Sequence, residues 1–116
     1  MNKKKKIKDF NFAAIIPCLN EEKTIGITIK NIKKNFPNIN IYVCDNASND
    51  KTIEEAERFG AIVLKESRRG KGFAMDRLFQ VVKADFYFMV DGDNTYDVSE
   101  LKNHLNIMVE EEVDMI

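Results

Sequence analysis

Apolar positions along the chain switch between two periods, and each switch marks an element. Residues 12–17 (Phe-Ala-Ala-Ile-Ile-Pro) are apolar throughout, the pattern of a strand buried on both faces. Residues 18–22 form a turn in which Asn20 is the predicted N-cap of the next helix, with Glu21 and Glu22 in its first turn. Ile25, Ile29, Ile32 and Phe36 then recur at helical spacing, and Pro37-Asn38 ends the helix. Residues 39–44 make a second strand, and residues 45–50 a polar loop whose last member, Asp50, is placed to cap a short helix over residues 53–59. Gly60 stands where a helix C-terminal glycine belongs. A brief third strand over 61–64 leads into the basic loop 65–72. Ala74, Leu78, Val81 and Val82 mark one face of the next helix. Residues 86–90 (Phe-Tyr-Phe-Met-Val) read as a buried central strand that stops abruptly at Asp91. Beyond it, Asp97-Val98-Ser99-Glu100 resembles a capping box before a helix bearing Leu101, Leu105 and Met108. Residues 113–116 look like the start of a further strand.

Strand and helix alternate four times, which predicts an α/β fold with a mainly parallel sheet and right-handed crossovers. A length of 116 residues allows one domain at most, and a sheet that stops as a new strand begins is expected to be the first half of something longer. Residues 1–10 are taken as a basic tail and residues 11–116 as the folded part.

Composition narrows the function classes. At 44% hydrophobic and 32% charged the chain can build a core, and its net charge of -1 gives no reason to expect a nucleic-acid partner. The lysines at positions 3–6 and 8 read first as a solvated tail, with attraction to an anionic membrane face as the second reading. Glu110, Glu111 and Glu112 read as a solvated helix face, and His104 as a helix-surface residue. Cys18 and Cys44 lack metal spacing and a CxxC pairing, which predicts buried reduced thiols in a cytoplasmic protein. The apolar run after the lysines is too short and too soon broken by Pro17 for a secretory signal, and no run reaches membrane-spanning length.

Candidate chemistry sits where the predicted strands end. In open α/β sheets ligands bind at the carboxyl ends of the strands. Those ends carry Asn20, Glu21 and Glu22; then Asp45, Asn46 and Ser48; then Arg68, Arg69 and Lys71; then Asp91 and Asp93. Two carboxylates separated by Gly92 offer hard oxygen ligands for Mg²⁺ or Mn²⁺, ions that commonly arrive with substrate phosphates. The Arg69-Gly70-Lys71-Gly72 loop can meet a diphosphate from the other side, with backbone N–H groups at a helix start adding anion contacts. Asp45 can accept a hydrogen bond from a base N–H.

Four stretches in this order, residues 15–22 (IIPCLNEE), 43–50 (VCDNASND), 69–72 (RGKG) and 90–93 (VDGD), resemble the family-2 glycosyltransferases of GT-A fold, from about residue 12 to the end. The resemblance implies a three-layer α/β/α domain and a nucleotide-diphosphate sugar donor, with Pro17, Glu21 and Asp45 around base and ribose. It implies phosphate contacts near Lys71, and Asp91 and Asp93 as the DxD pair on Mn²⁺ or Mg²⁺, Asp93 being the more direct ligand. Asp91 and Asp93 are thereby the expected catalytic pair, and Leu19, Asn20, Asn46, Arg69, Gly72 and Gly92 complete the expected donor site. Leu19 stands where the family often has an aromatic residue, and Asn46-Ala47 where it usually has Asp-Gly. The expected acceptor is a polysaccharide, a lipid phosphate or a protein glycan, at the cytoplasmic side of the membrane in cell-envelope biosynthesis, and inversion is the implied stereochemistry.

Two other readings stand beside it. The chain can be a non-catalytic nucleotide-binding fragment. Remotely, residues 91–95 (DGDNT) match the DxDxT motif of phosphohydrolases, although there the motif ends the first strand of the core and here it ends the fourth.

Overall fold

Seven elements alternate along the part of the chain that the computed structural model describes, residues 10–92. They are β1 (Phe12–Cys18), α1 (Ile25–Asn35), β2 (Asn40–Asp45), α2 (Thr52–Arg58), β3 (Ile62–Lys65), α3 (Lys71–Val81) and β4 (Phe86–Met89). The lysine-rich start, Asp93, the capping-box helix with His104 and the Glu110–Glu112 run, and the expected final strand all lie outside the described residues.

The four strands form one parallel sheet in the order β3-β2-β1-β4. The chain winds outward from β1 to β3, then returns to the other side of β1 for β4. That reversal is a topological switch point, where open α/β sheets place their ligands. Register aligns the strand ends: Cys18 pairs with Asp45, and Asp45 with Lys65. The loops that follow these residues therefore leave the sheet along one rim.

β1 is buried along nearly its whole length, as its apolar run requires, and its side chains alternate between two cores. Ala14, Ile16 and Cys18 face Ile25, Ile29 and Ile32 of α1 and Ala56 of α2. Ala13 and Ile15 face Ala74, Leu78 and Val82 at α3. Helices thus cover both faces of the sheet. Each fully buried isoleucine contributes about 1.5–3 kcal/mol relative to exposure.

Element boundaries follow local chemistry, with instructive exceptions. Gly60, at φ 93°, closes α2: its N–H donates to the Glu57 carbonyl, and the Ala61 N–H to the Ala56 carbonyl, the paired bonds of a Schellman end. Asp50 accepts the Thr52 N–H at the start of α2, one residue before the boundary position. Asn20 does not cap α1. Thr24 occupies the N-cap position, the first turn has no acid, and Glu21 and Glu22 precede the helix. α3 starts at Lys71, so Lys71 and Gly72 belong to its first turn and not to the preceding loop. Val81 is exposed because the helix ends there and Val82 turns into the core instead. β4 is at the edge of the described sheet, not its centre. Tyr87 and Met89 are exposed, and only Phe88 is buried.

Candidate functional site

The rim is assembled from polar side chains that tie one loop to the next. After β1, Asn20 takes a left-handed conformation at φ 53°. Its N–H donates to Ser48 Oγ at 2.8 Å, and its Oδ1 accepts the Asn49 N–H at 2.9 Å. The backbone N–H of Glu21 donates to Thr52 Oγ1 at 2.8 Å. Asp50 completes the join, accepting from the Thr52 N–H and hydroxyl with one oxygen and from the Glu22 N–H with the other. Burial pushes the Asp50 carboxyl up, but these hydrogen bonds outweigh it and hold the group below its ordinary range. The sequence suggested a cap at Asn20; the fold uses it as a tether between loops.

Asp45 ends β2 almost fully buried. Its Oδ2 accepts the Ser48 N–H at 3.1 Å, whereas Oδ1 is buried without a hydrogen-bond partner. A buried acceptor left unmade costs about 1–3 kcal/mol, so a partner supplied from outside is favoured there. Ala47 follows in left-handed backbone at φ 64°, at the position where a glycine is usual in the resembled family.

Asn46 is 4% exposed and its amide spans to the β3–α3 loop. Nδ2 donates to the carbonyls of Glu66 and Arg68 at 3.1 and 2.8 Å, and Oδ1 accepts the Gly70 N–H at 2.8 Å. Glu66 braces the same loop. Its buried carboxylate accepts from the Arg68 N–H and guanidinium and from Arg77. Hydrogen bonds from the Arg68 side chain and N–H, followed by the positive charge of both arginines, hold its pKa down at about 2. Arg69 donates to the Ala47 carbonyl at 3.2 Å. Lys71 Nζ reaches Asp91 Oδ1 at 3.0 Å, an ion pair more than half exposed on both sides.

Gly92 is fixed from beneath. Its carbonyl accepts Thr24 Oγ1 at 2.8 Å and Thr28 Oγ1 at 3.3 Å, and a Cβ there would fall 2.6 Å from Cys18 Sγ and 3.2 Å from Glu21 Oε2. The position has no room for a side chain. Both cysteines are free and buried. Burial, followed by the charges of Glu21 and Asp45, pushes the Cys18 thiol far above its ordinary value; burial and Glu66 raise Cys44 to about 11.

These loops enclose a cavity of about 220 Å³. Pro17, Leu19, Glu21, Asn46, Lys71 and Asp91, all expected from the sequence, line it together with Cys18, Gly70 and Ala74. Asn20, Asp45, Arg69, Gly72 and Gly92 do not line it. Asn20, Asp45 and Gly92 hold loops that do, and Arg69 bonds to the Ala47 carbonyl. Asp93 lies outside the described residues. Among the described residues no cluster of three His, Cys, Asp or Glu side chains could hold a metal. Asp91, half-exposed at the cavity with only a surface ion pair to give up, has the hard oxygens such an ion takes, and water or phosphate supplies the rest of the shell for Mg²⁺-like ions. Thr24, Thr28 and Glu66 escaped the sequence reading. The i, i+4 threonine pair on α1 was the only signal for the first two.

Comparison with known proteins completes the picture. A family model described as Glycosyl transferase family 2 matches residues 13–116. Protein RfbJ of Shigella flexneri is 46% identical over 107 residues, covering 92% of this chain and 83% of that protein. The low-salt glycan biosynthesis hexosyltransferase Agl6 of Haloferax volcanii is 36% identical over 106 residues, 89% of this chain but 26% of its own length. Among solved structures, the glucosyl-3-phosphoglycerate synthase of Mycobacterium tuberculosis aligns with a TM-score of 0.67 at 28% identity, over 74% of this chain and 35% of that one. That synthase has been solved in complex with Mn²⁺, uridine-diphosphate-glucose and phosphoglyceric acid. The chain therefore spans most of RfbJ but about a quarter of Agl6 and about a third of the synthase.

Proposed function

The chain belongs to glycosyl transferase family 2, and on that premise we propose that its cavity binds a nucleotide-diphosphate sugar with Mn²⁺ or Mg²⁺ and serves transfer of the sugar to an acceptor. The observation that carries the proposal is the gathering of an apolar wall, a cation and a carboxylate around one cavity at the switch point of the sheet: Pro17 and Leu19, Lys71, and Asp91. Pro17 and Leu19 offer apolar contact to a base. Asp45 does not line the cavity, but its neighbour Asn46 and its strand partner Cys18 do, and its unpartnered Oδ1 is the acceptor assigned to the base N–H. Glu21 faces the ribose. Lys71 exchanges Asp91 for a phosphate oxygen, an exchange that costs little because exposed ion pairs are worth about 0–1 kcal/mol. The unbonded first-turn N–H groups of α3 add to the anion site.

Asp91 and Asp93 would hold the cation, which supplies charge for the departing diphosphate when bound. Exclusion of water from the base by Leu19 and retention of the diphosphate by Lys71 are the contributions of this chain's own side chains. No described residue is assigned to acceptor deprotonation. The donor-binding half of a glycan-assembling enzyme, acting at the cytoplasmic membrane face with the lysine-rich start against anionic lipid, fits the charge distribution of the sequence. Sedimentation with anionic but not neutral vesicles tests that placement, and equal recovery with both refutes it.

A second reading is donor binding without transfer, since no described residue is assigned to acceptor deprotonation. The purified chain is incubated with uridine-diphosphate-glucose and other nucleotide sugars in Mn²⁺. Release of nucleoside diphosphate supports transfer chemistry, and calorimetric binding without release supports the fragment reading. Asp93→Ala abolishes metal-dependent binding in both cases; unchanged affinity removes Asp93 from the metal site.

A further inference from the structure

Asn46 lines the cavity, yet its amide has little left to offer a ligand. Both Nδ2 donors and the Oδ1 acceptor are engaged, by Glu66 O, Arg68 O and Gly70 N, and the residue is 4% exposed. All three bonds go to backbone groups of one segment, the loop that opens α3. We propose that Asn46 is a positioning residue: it sets the β3–α3 loop, and through it the place where Lys71 and the first-turn N–H groups of α3 meet a ligand's phosphates. The inference rests on the nucleotide-sugar reading of the cavity.

The chain of contacts is short. Asn46 Oδ1 holds the Gly70 N–H, and Gly70 is the N-cap of α3 at φ 141°, a backbone state that residues with a Cβ rarely adopt. Lys71 is the next residue and reaches across the cavity to Asp91. A loop bearing glycine in such a state has no intrinsic preference for it, so outside bonds must select it. Asn46 supplies three at once, and Glu66 adds a fourth through the Arg68 N–H. In this chain the bonds are those of an amide, although the resembled family usually has aspartate here. Aspartate has the same shape, but an oxygen in place of Nδ2 would face two carbonyl oxygens with no proton between them.

The test uses the full chain, inorganic pyrophosphate as the probe, and the variants Asn46→Ala, Asn46→Asp, Lys71→Met and Asn46→Ala with Lys71→Met. In Asn46→Ala the Gly70 N–H loses its acceptor and exchanges with solvent about tenfold faster or more, while the β1 amides keep their protection. Pyrophosphate affinity falls about tenfold in Asn46→Ala and further in Asn46→Asp. The double variant loses clearly less than the sum of the two single losses, because both changes act on the Lys71 contact and only the first-turn N–H groups remain for Asn46→Ala to displace. Additive losses overturn the inference, since a residue that merely supports the fold would weaken binding independently of Lys71. So does unchanged exchange at Gly70, or unchanged affinity in Asn46→Ala while the wild-type chain binds. Absence of pyrophosphate binding by the wild-type chain is a different failure: it removes the phosphate site itself, and the inference with it. Should Asn46→Asp not fold, Asn46→Ala, which adds no charge, carries every arm.

Discussion

The floor of the cavity and its mouth are built on opposite plans. The floor is the layer behind the lining, of which only Asn46 touches the cavity itself. It consists of polar groups, buried except for the half-buried Thr24, whose bonds are internal: Asn46 to three backbone groups, Glu66 to Arg68 and Arg77, Thr24 and Thr28 to the Gly92 carbonyl. The mouth carries exposed side chains with cheap partners. Leu19 is 39% exposed, and the Lys71–Asp91 pair is more than half so. Shape and chemistry are thereby assigned to different residues. Buried networks are costly to leave half satisfied, so they hold one geometry. Exposed pairs can be exchanged for a ligand's charges at little loss. Asp45 is the exception that joins the two, a floor residue with one oxygen left open.

If that division is right, floor substitutions change stability and mouth substitutions change only binding. The largest effect is expected from Gly92→Ala, whose Cβ would meet Cys18 Sγ at 2.6 Å; overpacking of this kind costs about 1–3 kcal/mol, read by denaturant unfolding. A variant as stable as wild type would show that the floor yields after all. Next comes acid. Glu66 has its pKa depressed on folding, so its contribution is complete above the ordinary value of 4.5 and is lost as pH falls from there through about 2. Wild type should lose stability over that window and Glu66→Gln should lose less, both followed by thermal unfolding against pH. Equal losses would mean that the Glu66 cluster does not hold the loop. A smaller change of opposite sign is expected at Ala47. Glycine there relieves the left-handed backbone, a strain of about 1–2 kcal/mol that the greater freedom of unfolded glycine partly offsets, leaving a net gain below about 1 kcal/mol. Smallest of all is Lys71→Met, within about 0.5 kcal/mol of wild type in stability although it weakens pyrophosphate binding. A large loss of stability in that variant would erase the distinction between floor and mouth.

The sequence disclosed the scaffold better than the joints. β1 was legible because an all-apolar strand has only one place to go in a parallel sheet, between two helical layers. Gly60 was legible because a helix end in left-handed backbone favours glycine. β4 misled because an apolar run does not tell a central strand from one at the edge of the described sheet, where Tyr87 and Met89 are exposed. Asn20 misled for a similar reason. An asparagine after a strand can cap the next helix or bridge to another loop, and only Ser48 and Asn49, distant in sequence, decide it. Of the site, Pro17, Leu19, Glu21, Lys71 and Asp91 were visible as motif residues and do meet at one cavity. Glu66 was hidden in a charged stretch that reads as solvent-facing, whereas Arg68 and Arg77 supply the charge that lets it be buried. Thr24 and Thr28 were silent because a threonine on a helix announces nothing about a carbonyl more than sixty residues away.

Titration calorimetry of nucleoside diphosphates in Mn²⁺ against the full chain and its Asp45→Asn variant addresses the shared cavity most directly. The expected result is saturable binding of at least one diphosphate by the wild type, abolished by EDTA, and weakened about tenfold in Asp45→Asn under conditions where denaturant unfolding shows the variant folded, because an amide N–H in place of Oδ1 opposes the base N–H. Absence of binding for every base, or equal affinity in the two proteins, would contradict it.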